Sequence, residues 1–247
     1  MHLLSRRAAI LAAGGFWGAS GGSAFATSAG SLPQTPRSRD AIARNEGRLT
    51  GVLASLRLRL GAPVYLRITK EPERIDVFLE GAAGSFQRFR SYDVCALSGQ
   101  VGPKLRAGDL QVPEGFYAIT RDGLRPGSSA HLGLDIGYPN LFDRQLKRSG
   151  GGVAIHGGCK SNSSLAITDP AVEEVYTLID AALRAGQAAV PVHIYPFPLT
   201  NGRLRRERDN KNYALWANLQ IGWDLFEKTK RPPRAKAEGG RYQITAG

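Results

Sequence analysis

The chain has little of what builds metal and disulfide scaffolds. Its 247 residues include two cysteines, four histidines and one methionine, too few thiols for a disulfide-dense fold or a four-thiolate zinc site. No run of about 18 uninterrupted apolar residues is available to span a bilayer, which argues against a stable membrane span. Acidic side chains are also short, with 21 Asp and Glu against 33 Lys and Arg, a net charge of +12. Such an excess suits nucleic acid, but the cations are scattered. Local excess occurs only at 203–208 and 228–236, and neither stretch interleaves aromatic stacking platforms. A solvated basic surface is the expectation, with no nucleic-acid partner; it also suits an anionic polymer. With 42% hydrophobic and 22% charged residues, the chain reads as one globular domain able to bury about 70% of its unfolded surface.

Residues 1–26 read as a leader rather than as part of the fold. Arg6 and Arg7 form a positive start, residues 8–19 an apolar core, and Ala24-Phe25-Ala26 a small-x-small cleavage site. Five glycines between 14 and 22 would each cost a helix about 1 kcal/mol relative to Ala, so a buried N-terminal helix is disfavoured. The Ser5-Arg6-Arg7 start resembles a twin-arginine signal, with Ala9 in place of the usual bulky residue. Export to the periplasm is the expectation.

Residues 27–37 are rich in Ser, Gly, Thr and Pro and read as a linker. A helix is expected within 38–62, starting at Ser38 or Asp40, with Ile42, Leu49, Val52, Leu53, Leu56 and Leu60 on one face. Short alternating runs at 64–69, 75–79, 86–97, 116–120, 131–136, 152–156 and 190–197 read as strands. One helix is punctuated clearly: Asp169 as cap, Pro170 in the first turn, an apolar stripe through Val172, Val175, Tyr176, Ile179 and Leu183, and Gly186 beyond its end. A last helix is expected over about 209–228, burying Leu215, Trp216, Leu219 and Trp223, and the Pro-, Lys- and Gly-containing segment 229–247 reads as a basic mobile tail. The expected class is α+β: a mostly-β mixed sheet or sandwich with an N-terminal helix, a helix after the central loop and a C-terminal helix.

The chemistry-bearing segment is 155–169, a strand ending in His156, a Gly/Ser loop, then a helix. A loop between strand end and helix start offers backbone N–H groups to a developing oxyanion, with a base beside it, which suits acyl transfer. His131 and His193 lie in strand runs and read as packing residues.

Several motifs occur in one order: Cys95-Ala96-Leu97-Ser98-Gly99 with Gly102-Pro103-Lys104; Gly108-Asp109-x-Gln111-x-Pro113-Glu114-Gly115-Phe116-Tyr117; Gly137-Tyr138-Pro139-Asn140-x-Phe142-Asp143; and His156-Gly157 through Thr168-Asp169. Over 63–228 the chain resembles the L,D-transpeptidase catalytic domain (YkuD-type), in its YafK-like branch. The resemblance implies a peptidoglycan-modifying acyl transferase acting on diaminopimelate-containing stem peptides, whose outcome is cross-linking, lipoprotein attachment or hydrolytic reversal. No cofactor is expected, and no cluster of His, Cys and carboxylates has metal spacing; the partners implied are stem peptides and, in the attachment reaction, an outer-membrane lipoprotein.

The branch's pattern is His-Gly-x-Cys-x-Ser-x-Gly-Cys, with the second Cys as nucleophile. Laid on this sequence, His156 matches the base, Gly157, Cys159 and Ser161 match, Ser163 replaces the Gly, and Ser164 replaces the nucleophilic Cys. Three readings stay open. Ser164 is an oxygen nucleophile served by His156; or Cys159, if reduced, has taken over; or the domain is a pseudoenzyme that keeps the peptidoglycan-binding cleft without the reaction. An exported chain can join Cys95 to Cys159, which would withdraw Cys159, but spacing alone leaves the pairing open. Lys104, Gln111, Tyr138, Asn140 and Arg144 are the expected stem-peptide contacts, with turn architecture as their alternative.

Overall fold

In the computed structural model residues 31–247 are described; the leader read at 1–26 and residues 27–30 of the linker lie outside them. The unit from Leu32 onward is mixed α+β. In chain order its elements are α1 (Pro36–Ser55), β1 (Val64–Thr69), β2 (Arg74–Glu80), β3 (Phe86–Asp93), β4 (Ala96–Leu97), β5 (Gly115–Ile119), β6 (Leu124–Arg125) and β7 (Gly133–Asp135). Next come α2 (Leu141–Gln145), β8 (Ala154–His156), β9 (Leu165–Ala166), α3 (Asp169–Arg184), β10 (Val190–Tyr195), α4 (Asn201–Arg205), α5 (Tyr213–Thr229), β11 (Arg234–Glu238) and β12 (Arg241–Thr245).

The strands form two five-stranded sheets, ordered β3-β2-β1-β10-β5 and β4-β9-β8-β7-β6, and a two-stranded hairpin of β11 and β12. Each large sheet is antiparallel except for one parallel pair, β1 with β10 and β8 with β9. Every residue of β1 is buried, because both faces of the first sheet are covered. Val64, Leu66 and Ile68 join the main core with Val175 and Ile179 of α3, while Tyr65 turns the other way onto Phe78 and Phe226. Among the described residues no helix is long and apolar enough to cross a membrane.

Several boundaries differ from the sequence reading; helix α1, expected to reach about 60–62, ends at Ser55. Helix α1 starts earlier than expected: Thr35 caps it, accepting from the Ser38 amide while the Ser38 hydroxyl receives the Thr35 amide, with Pro36 in the first turn. Helix α5 starts at Tyr213 rather than near 209, after turns through Glu207–Asn210. The larger correction is the C-terminus. The segment read as a mobile tail is a hairpin whose turn, Gly239-Gly240, has both φ values positive (57° and 73°), the conformation that two-residue hairpins favour. Tyr242 is 5% exposed, stacks on Phe142 at 4.2 Å, and exchanges both backbone bonds with the Asn218 side chain of α5. The alternation Arg-Ala-Lys-Ala-Glu, then Arg-Tyr-Gln-Ile-Thr, carried that signal; the basic composition masked it.

His193 is a packing residue, as expected, with Tyr65 and Phe116 ring centroids at 4.8 and 4.7 Å. Burial, with the Arg67 charge adding to it, pushes its imidazole down to about 3. The unfolded chain takes up this proton near pH 6.5 and the folded chain only near 3, so stability falls as pH drops through that window. Relative to a His193→Gln variant, the wild-type chain should therefore lose about 2 kcal/mol between pH 6.5 and 5 in denaturant titrations. A pH-independent difference would refute the assignment.

Candidate active site

Parallel pairing of β8 with β9 carries the arrangement. Ile155 lies beside Leu165 and His156 beside Ala166, so Ala154 and Ser164 form the preceding pair. Alternate residues share a face, which puts Ala154, Ser164 and His156 on one side and the fully buried Ile155 and Leu165 on the other. A bond from the Ala154 amide to Ser164 Oγ, 3.1 Å, matches this register. His156 and Ser164 then line one cavity of about 520 Å³, walled by the 124–130 segment and floored by Gly133 and Ala154.

The imidazole is oriented by its own neighbour. His156 Nδ1 lies 2.7 Å from the Gly157 carbonyl oxygen. A carbonyl only accepts, so Nδ1 carries the proton and Nε2 is the nitrogen able to take one. Gly157 is itself held, its amide donating to the carbonyls of Ala130 (3.0 Å) and Leu132 (3.2 Å). Only glycine fits there: an added Cβ would run into the Asp169 carboxylate and come within 3.0 Å of His131 Cβ.

Asp169 was expected to cap α3, but Thr168 is the N-cap residue and makes no side-chain cap bond. The Asp169 carboxylate instead accepts from the Gly158 amide at 2.7 Å, tying helix to loop. Cys159 is joined to Cys95, with Cα atoms 5.3 Å apart. A sulfur in a disulfide offers no thiolate, so the reading of Cys159 as nucleophile is corrected. Ser161 Oγ receives the Ser164 amide at 3.1 Å and donates to the Ser164 carbonyl, fixing the backbone of Ser164. Ser163 keeps a positive φ, 72°, where the family pattern has glycine; a side chain there costs about 1 kcal/mol. Its amide is satisfied by Ser98 Oγ. Ser164 is 7% exposed, and its oxygen is bonded to the Ala154 amide rather than to the imidazole.

The five expected peptide contacts do not line this cavity; they build turns. Lys104 is buried, its Nζ 2.6 Å from Asp109. Gln111 Oε1 accepts from the Gln100 amide. Tyr138 is buried with its hydroxyl on the carbonyls of Lys104 and Ser149. Asn140 caps α2 and donates to the Phe116 carbonyl, and Arg144 donates to the Pro139 carbonyl. In a Gly- and Pro-rich region the polar side chains are consumed by backbone groups that lack a ladder partner. His131 also serves structure, with Nε2 2.7 Å from Glu173 of α3. The cleft wall contains two charged residues that sequence reasoning missed, Arg125 and Asp135. Nothing local marks them, because strand pairing alone brings them there.

No family model matches the chain. In sequence it is 37% identical over 186 residues, 75% of this chain and 75% of the relative, to "Putative L,D-transpeptidase YafK" of Escherichia coli strain K12. The chain belongs to the YafK L,D-transpeptidase family. The protein of the same name from E. coli O157:H7 matches to the same extent. Among solved structures this YafK-family chain is similar to the helical cell shape determining protein Pgp2 from Campylobacter jejuni. That match has a TM-score of 0.43 and 17% identity, covering 75% of this chain and 79% of Pgp2. Bd1075 from Bdellovibrio bacteriovorus gives 0.39 and 15%, covering 72% of this chain and 78% of Bd1075.

Proposed function

We propose that this YafK-family chain is an exported protein that acts on peptidoglycan stem peptides by acyl transfer through Ser164. The observation that supports this most directly is the shared cavity, in which the register of β8 and β9 sets a hydroxyl and an oriented imidazole on one face. His156 Nε2 takes the Ser164 proton as Oγ bonds to the carbonyl carbon next to an L,D centre. The tetrahedral intermediate collapses, the C–N bond breaks, and the departing amine receives the proton from the imidazolium. An incoming amine then resolves the ester as a cross-link or a lipoprotein attachment, or water resolves it as hydrolysis. No cofactor is required.

One observation favours the second reading, a binding module without turnover. Ser164 Oγ accepts from the Ala154 amide, and a hydroxyl not bonded to its base is a poor nucleophile. Incubation of the full chain with muropeptides, followed by intact-mass and peptide-mapping spectrometry, separates the two. An ester adduct on Ser164, absent from Ser164→Ala, supports acyl transfer. Saturable peptide binding with neither adduct nor product supports the binding module instead.

A further inference from the structure

Two rows of residues cross the cleft face of the second sheet. In one, Arg125 pairs with Gly133 and Gly133 with His156. In the other, Asp135 pairs with Ala154, whose amide bonds Ser164 Oγ. Each row thus carries a functional group at both ends and a glycine or alanine between. The intervening residues Leu124, Leu134 and Ile155 face the core and are buried. Neighbouring strands lie about 4.8 Å apart, so the ends of a row stand roughly 9–10 Å apart at Cα. Glycine in the middle of the first row matters: a Cβ on Gly133 would come within 3.2 Å of Arg125 Cβ and 3.4 Å of Ser128 Cβ, so its absence lets Arg125 and Ser128 pack against the row.

Arg125 and Asp135 are held but not used up. The guanidinium donates to the Asp122 carbonyl (2.8 Å) and to Asp135 Oδ2 (3.1 Å), while its side chain is 54% exposed. Asp135 Oδ1 accepts from the Gly137 amide at 2.9 Å, which fixes the carboxylate at the wall. An exposed ion pair contributes at most about 1 kcal/mol, so a ligand can reorganise it at small cost. The remaining guanidinium N–H groups suit a carboxylate, and the Asp135 carboxylate suits an ammonium.

We infer that Arg125 and Asp135 form a specificity subsite for a free zwitterionic amino-acid end, the carboxylate on Arg125 and the ammonium on Asp135. In a stem peptide that group is the side-chain end of diaminopimelate. This inference rests on the reading of the cleft as a stem-peptide site. The subsite lies across Gly133 and Ala154 from His156 and Ser164, so it anchors the peptide at a distance from the reacting carbonyl and takes no part in proton transfer.

Calorimetric titration of the full chain with three synthetic stem tetrapeptides tests it. One carries diaminopimelate, one carries its side-chain carboxamide, and one carries lysine, which lacks that carboxylate but keeps an ammonium. The diaminopimelate peptide should bind about tenfold more tightly than the other two, as expected for one charge-assisted hydrogen-bond pair. Arg125→Gln should erase that preference by weakening only the diaminopimelate peptide, and Asp135→Asn should weaken all three. Equal affinity of the wild-type chain for the three peptides overturns the subsite and leaves the stem-peptide reading standing. So does an Arg125→Gln variant that weakens all three alike. Absence of binding to any of them overturns both.

Discussion

Exchanging Ser164 for Cys should raise the rate of acyl-enzyme formation with stem peptides by at least about 10²-fold, on either reading of the wild-type chain. A cysteine thiol, whose ordinary pKa is near 8.5, is partly thiolate beside an imidazole, whereas a serine hydroxyl must lose its proton as it attacks. Geometry acts in the same direction. Ser164 Oγ is bonded back to the Ala154 amide, and displacement of a reacting atom by about 1 Å costs about 10²-fold; the longer C–S bond carries sulfur further into the cleft. Its surroundings are fixed, His156 being oriented by Gly157 and the Ser164 backbone held by Ser161. Adduct formation should appear by intact-mass spectrometry within a time course and vanish when His156→Asn is added. A Ser164→Cys chain that binds stem peptides yet never forms an adduct would show that the loop has lost more than its sulfur.

Removal of the Cys95–Cys159 bridge should lower stability by about 4 kcal/mol. The two cysteines are 64 positions apart, and closing a loop of that length removes about this much chain entropy from the unfolded state. For a chain of this size the midpoint of thermal unfolding should drop by roughly 8–16 °C. The local effect falls on the site: Cys95 is joined to β9 by its amide, which donates to the Ala166 carbonyl at 2.9 Å, and Cys159 follows His156-Gly157-Gly158 directly. The bridge thus ties the edge of the second sheet to the loop after the imidazole. Thermal scans of the oxidised chain and of the Cys95→Ala/Cys159→Ala double variant measure the loss, and the latter carries no free thiol to confuse the comparison. Coincident midpoints would mean that the other ties of the loop, the Asp169–Gly158 bond among them, already hold it.

The site was legible in part. The His156-Gly157 strand end and the alignment of Ser164 with the family's nucleophile are properties of adjacent residues, and short-range pattern reports them. The structural duties of Lys104, Tyr138 and Asn140 were not legible, because they look available in a turn-rich sequence until their partners are known: Asp109, two carbonyls and the open end of α2. The hairpin at 234–245 was missed for a related reason. Its alternation is weak beside its charge, and what makes it fold is the Asn218 side chain and the aromatic face of Phe142.

What this sequence determined by itself is local: where most of the strands and the long helices run, which segment carries the imidazole and the hydroxyl, and the family to which the ordered motifs belong. Periodicity, caps and turns act over a few residues and are written in composition and spacing. Only the tertiary structure decided that Cys159 is in a disulfide, that Asp169 holds a loop rather than a helix end, and that Arg125 and Asp135 stand across the cleft from His156 and Ser164. Each depends on strand register between segments remote in the chain, and register is set by the burial of whole faces rather than by any one residue's neighbours.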